Sequence, residues 1–113
     1  MKKVIATPDA PKAVGPYSQA IEVNGTLYIS GQIPVNPADG QVQTEITAAA
    51  HQSLKNIGAI LKEAGMDYGN VVKTTVLLAD IADFKAVNEV YAEYFTGDKP
   101  ARACYQAAAL PLG

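Results

Sequence analysis

The sequence predicts an α+β fold, two helices laid on one face of a mixed sheet, and three observations carry that prediction. The run "SQAIEVNGTLYISGQI" is two strand-like segments around Asn24-Gly25, a dipeptide suited to a type I′ turn because both central residues must adopt positive φ. Two later stretches, from Thr44 and from Asp83, place apolar residues at helical spacing. Each is followed by a segment that reads as a strand, so the order is hairpin, helix, strand, helix, strand. The 113 residues suffice for one core, and residues 1–113 are read as a single domain.

The hairpin comes first. Pairing across Asn24-Gly25 sets Ala20, Glu22, Leu27 and Ile29 on one face and Gln19, Ile21, Val23, Thr26, Tyr28 and Ser30 on the other. Neither face is purely polar, whereas a small antiparallel sheet ordinarily gives one face to water, so both faces are expected to be covered. A chain this short cannot cover both alone, which points to a homo-oligomer. From Thr44 to Ala64 the positions Ile46, Ala50, Leu54, Ile57, Leu61 and Ala64 recur at steps of three and four, an amphipathic helix closed by Gly65. "NVVKTTVLLAD" is rich in β-branched residues, with Val72, Thr74, Val76 and Leu78 on one face of a strand. A second helix carries Phe84, Val87, Tyr91 and Phe95 on its stripe, with Gly97 read as its stop. "ARACYQAAAL", after Pro100, is read as a strand in which Arg102, Cys104 and Gln106 share a face.

Composition excludes several classes of function. Nine Lys and Arg against eleven Asp and Glu give a net charge of −2, with no basic stripe to follow a phosphate backbone, so nucleic acid is not the expected partner. One cysteine cannot form an internal disulfide, "MKKVIATPDAPK" lacks the apolar core of a secretory signal, and no apolar run approaches the ~18 residues of a membrane span. A cytoplasmic, reduced setting is expected, with no membrane association. His51 is the only histidine, one step off the apolar stripe, and is read as a solvated helix residue. A Ser-His or Cys-His nucleophile pair would require it, and one His with one Cys supplies too few ligands for a metal, so no metal site is expected.

Three features rise above this background. Tyr17 follows a Gly-Pro turn in "VGPYSQA", where a phenol can cap a cleft or pack the hairpin. Ser30 and Gly31 end a strand, where glycine permits close approach of a ligand or marks a bulge. Arg102 is the lone charge after Lys99, set in "PARACYQAAALPLG" among small and apolar residues. Buried without a partner, it would cost several kcal/mol, so it is either exposed or paired with an anion. The anion is a ligand carboxylate, for which the planar guanidinium is well shaped, or one of the eleven acidic side chains in a structural ion pair.

Taken together, "GPYSQA", "YISGQIPVNP", "QSLKNI", "VVKTTVLLADIADFKAVNEVY" and "PARAC" resemble, in order and spacing, the Rid family of reactive-intermediate deaminases, also called the YjgF family. The resemblance covers nearly the whole chain. It implies the chorismate-mutase-like (YjgF-like) α+β fold and a homotrimer with a central barrel-like core and ligand clefts between subunits. The implied reaction is hydrolysis of 2-imino acids, such as 2-iminobutanoate and 2-iminopropanoate, to 2-oxo acids and ammonia. These imines arise from enamines released by pyridoxal-phosphate-dependent dehydratases. Arg102 matches the family arginine that clamps the substrate carboxylate, with the backbone N–H of Cys104 as a second donor. Tyr17 and Ser30 match cleft residues that close the pocket and hydrogen-bond the imine end or the water, Gly31 lines the same site by its backbone, and Asn88 is a polar neighbour. Imines hydrolyse unaided, so positioning and one oriented water suffice and no cofactor is expected.

The sequence departs from the family at one point. Family members usually continue past "LP" into a further strand bearing a glutamate thought to orient or activate water, whereas this sequence ends at Gly113. None of Glu22, Glu45, Glu63, Glu89 or Glu93 stands at a matching position, so that strand and its glutamate are expected to be absent from the given chain. Two alternatives follow: a non-catalytic module that binds 2-oxo acids through Arg102, and a ribonuclease or translation inhibitor, which the acidic balance disfavours.

Overall fold

The Asn24-Gly25 turn forms as its sequence dictates, with φ of 51° and 77° at the two residues, in a computed structural model that describes residues 1–113. It joins β2 (Ala20–Val23) to β3 (Thr26–Ile29) in the expected register, Ala20 opposite Ile29 and Ile21 opposite Tyr28. A short strand that the sequence reading did not assign, β1 (Lys3–Ile5), pairs antiparallel with β2. Three residues are too few for a periodic signal, and Ile5 earns its place by being buried against Ala20 and Ile60.

Helix α1 (Ile46–Glu63) opens on Glu45, whose carboxylate accepts the Ala48 N–H at 2.8 Å. It closes in a Schellman motif: Gly65, at φ 75°, donates to the Lys62 carbonyl at 3.0 Å, and Met66 donates to that of Leu61 at 2.8 Å. Strand β4 (Lys73–Leu78), helix α2 (Phe84–Tyr94) and strand β5 (Ala101–Gln106) follow, with short 3-10 turns at Tyr68–Asn70 and Ile81–Asp83. Gly97 is not the stop of α2. The helix ends at Tyr94, and Phe95, buried at its end, turns the chain at φ −105°.

The α+β class holds, with a difference in the sheet. Strands β1, β2 and β3 form an antiparallel ladder, while β4 and β5 form a separate parallel one, Thr74 opposite Arg102 and Val76 opposite Cys104. The mixed sheet is therefore two ladders, since β3 and β4 do not pair. Helix α1 bridges them. Its Ile60, fully buried, packs on Ile5 and Ala20, while Leu54 packs with Val90, Tyr91 and Phe95 beside Val76 of β4. Complete burial of one such side chain stabilises by about 1.5–3 kcal/mol.

Buried amides pin the loops. Gln19 accepts the Thr7 N–H at 2.7 Å and donates to the carbonyls of Thr7, Ala10 and Pro11, tying the N-terminal segment to the hairpin. Asn56, 1% exposed on α1, donates to the carbonyls of Ile33 and Val35. That fixes the segment after Gly31 against the helix.

Candidate active site

Arg102 is the natural starting point, because its surroundings decide between the two readings of its charge. It projects from β5 toward α2, where its Nη1 donates to Asn88 Oδ1 at 2.7 Å. Its guanidinium carbon lies 4.9 Å from the centroid of the Tyr91 ring and 5.3 Å from that of Phe84. Residues 84, 88 and 91 share one stripe of α2, and β5 sets the arginine opposite that stripe. No carboxylate of the chain pairs with it. The structural ion pair is thereby excluded within the chain. A half-buried cation is held by an amide and two rings, none of which neutralises it.

The edge of β5 adds a second donor. Ala101 donates to the Val72 carbonyl at 3.0 Å and Ala107 to that of Leu78 at 2.9 Å. Amide directions alternate along a strand, so the N–H groups of Arg102, Cys104 and Gln106 point away from β4, toward an edge where β5 has no neighbouring strand. Cys104 is a half-buried free thiol on the same side of β5 as Arg102. Guanidinium and backbone donor are thus two residues apart on one strand, an arrangement suited to a carboxylate.

Tyr17, Ser30 and Gly31 lie elsewhere on the protomer. Tyr17 and Ser30 line a cleft of about 410 Å³ with Lys2, Ser18, Tyr28 and Ile29, and neither Arg102 nor Asn88 belongs to that lining. Ser30 Oγ donates to the Ser18 carbonyl at 2.6 Å, which commits its proton and leaves its lone pairs to accept. Tyr17 Oη accepts the Val14 N–H at 3.3 Å, and its own proton remains to be given. Gly31 is exposed, and a Cβ there would meet nothing within 4 Å, so no contact inside the protomer requires the glycine. The protomer therefore joins Arg102 to Asn88 and Tyr17 to Ser30, as two separate groups.

His51 corrects the sequence reading. Its Nδ1 stands 2.7 Å from Tyr94 Oη and its Nε2 faces Glu93, so it bridges the two helices instead of sitting free in water. The perturbed phenols belong to that region: burial, then the neighbouring Tyr94, pushes Tyr68 up to about 12, and burial followed by Glu93 raises Tyr94. Sequence reasoning missed the contribution of Phe84 and Tyr91, which it assigned to the core stripe. Their spacing on α2 is that of core residues, and only the facing strand β5 reveals the contact with Arg102.

Comparison with known proteins places the chain in a family. The model of the endoribonuclease L-PSP family matches residues 7–113. A mouse protein named 2-iminobutanoate/2-iminopropanoate deaminase is 59% identical over 114 aligned positions, which take in 100% of this chain and 84% of that protein. The human protein of the same name is also 59% identical, with 100% and 83% covered. Among solved structures, a Rid-family protein from Yersinia pestis superposes with a TM-score of 0.96 at 48% identity, covering 98% of this chain and 90% of that one. Escherichia coli TdcF with bound serine superposes at 0.93 with 40% identity, covering 96% and 88%. On a match that spans all but six N-terminal residues and relatives alike along its whole length, the chain belongs to the endoribonuclease L-PSP family, the Rid (YjgF) family its motifs resemble.

Proposed function

We propose that this chain is an enzyme that hydrolyses 2-imino acids, 2-iminobutanoate and 2-iminopropanoate among them, to 2-oxo acids and ammonia. The observation that carries the reading is Arg102: a half-buried guanidinium without an acidic partner, with one N–H committed to Asn88 and the others uncommitted. A charge-assisted, two-point contact with a substrate carboxylate contributes about 1.5–3 kcal/mol and fixes the plane of the adjoining imine. The Cys104 N–H supplies a further donor from the same strand, and the mouse and human relatives bear the name of this activity.

Water adds to C2 of the imino acid as the C=N π bond opens, giving a carbinolamine. The hydroxyl of that adduct loses its proton, the nitrogen gains one, and C–N cleavage leaves the 2-oxo acid and ammonia. Ser30, its proton donated to the Ser18 carbonyl, accepts from the imine N–H, and the proton that water loses on addition passes to the imine nitrogen. Tyr17, which lines the cleft with Ser30, retains a proton to donate, and Gly31 follows Ser30 in an exposed position where its backbone is free to meet a ligand. Polarisation and orientation serve here because the uncatalysed reaction is already facile, and the chemistry calls for no metal or cofactor.

In this reading the two residue groups meet across a subunit boundary in a homotrimer. Val4, Tyr28, Leu77 and Tyr105 are 57%, 63%, 43% and 53% exposed, and the registers pair Val4 and Tyr28 each with Ile21, and Leu77 with Tyr105. The sheet faces turned from the helices are thus apolar and uncovered, as a surface for further copies requires. No helix is long and apolar enough to cross a membrane, and the single thiol suits a reduced cytoplasmic setting.

The test generates the imine in place with a threonine dehydratase and follows 2-oxobutanoate formation with and without this protein. Acceleration by the parent and its loss in Arg102→Ala support the reading. Tight binding of 2-oxobutanoate without acceleration would make the protein a carboxylate-binding module.

A further inference from the structure

The rings beside Arg102 do more than fill space. An arginine can be fixed in a partly apolar setting by an acid, but an acid would occupy the fork and repel a second carboxylate. Aromatic rings attract the cation through their quadrupoles and contribute no negative charge. Phe84 and Tyr91 place two rings within 5.3 Å of the guanidinium carbon, and Asn88 between them takes a single N–H. Tyr91 is itself held: it is 8% exposed, and its Oη lies 2.7 Å from Oγ1 of Thr74, the residue opposite Arg102 in the β4–β5 register.

Resting on the carboxylate-clamp reading, we propose that Phe84 and Tyr91 are positioning residues for imine hydrolysis, an aromatic bracket that aims the Arg102 fork while leaving it free for substrate. Thr74 locks the Tyr91 ring, so strand register is passed to the guanidinium through one hydroxyl pair. The bracket sets both how strongly the carboxylate is held and which way the imine faces. Its loss therefore moves KM and kcat together, whereas loss of folded protein alone lowers the apparent kcat at constant KM.

The experiment measures kcat and KM in the dehydratase-coupled assay, and Kd for 2-oxobutanoate, for Phe84→Leu, Tyr91→Leu, Tyr91→Phe and Arg102→Ala, with thermal unfolding of each. Phe84 is 40% exposed, so its truncation spares the core and keeps the test open if Tyr91→Leu fails to fold. Each Leu variant is expected to lose about 3- to 30-fold in kcat/KM, the range of one ring-cation contact, with KM and Kd raised. Tyr91→Phe, which keeps the ring and loses only the hydroxyl pair with Thr74, is expected to fall between the parent and Tyr91→Leu in kcat/KM. The bracket is overturned if folded Phe84→Leu stays within twofold of the parent in kcat, KM and Kd while Arg102→Ala is inactive. An active Arg102→Ala would overturn the clamp beneath it as well.

Discussion

At the scale of single residues, the account turns on which groups have spare hydrogen-bonding capacity. Arg102 has donors to give, Ser30 has lone pairs, Tyr17 has a proton, and Cys104 offers an amide at an unpaired edge. Of these, Arg102 was legible in the sequence because a charge in an apolar strand needs a reason, whereas the aromatic bracket was not, since a helix stripe of Phe and Tyr is indistinguishable from core without its facing strand. Gly31 stood out in the sequence as a strand-end glycine open to a ligand or a bulge, and neither its backbone nor its surroundings within the protomer demand glycine. Cys104 yields a clear prediction. If it serves by its N–H, Cys104→Ala keeps kcat/KM within about threefold of the parent, while a fall of three orders of magnitude in a folded variant would give the thiol a chemical part.

At the scale of elements, α1 shows how local and tertiary demands are reconciled. The helix was legible from its period and its Gly65 stop, yet Gly58 in its middle costs about 1 kcal/mol relative to alanine and had no explanation in sequence. The structure supplies one: the Tyr68 ring crosses α1 at Gly58, its hydroxyl donating to the Leu54 carbonyl at 2.6 Å and its ring in T-shaped contact with Tyr94 and Phe95. A Cβ at 58 would overlap the Tyr68 hydroxyl and ring carbons. Gly58→Ala is therefore expected to lower stability by about 1–3 kcal/mol, against the gain that propensity alone would give, as read by chemical denaturation. A stabilised variant would show that Tyr68 yields easily. Strand β1 and the split between ladders were illegible for a common reason, that pairing partners are chosen by tertiary packing and leave little trace in three or four residues.

At the scale of the whole molecule, the hairpin with two half-apolar faces anticipated a surface that the protomer leaves open. The helices cover Ala20 and Ile5 on one side, and on the other Tyr28, Val4, Leu77 and Tyr105 remain exposed. A trimer is expected to show a native mass close to three times the 11.9 kDa chain by light scattering at micromolar concentration, and a monomer would contradict the shared cleft. The central claim, that Arg102 and Cys104 of one subunit hold the substrate carboxylate while Tyr17 and Ser30 of another attend the imine, is tested most directly by a crystal structure with 2-oxobutanoate, whose carboxylate stands in for that of the imino acid. The account predicts that carboxylate on the Arg102 fork and the Cys104 N–H, with the 2-oxo group turned toward Tyr17 and Ser30 across the boundary. A carboxylate bound away from Arg102, or a ligand enclosed within one subunit, would contradict it.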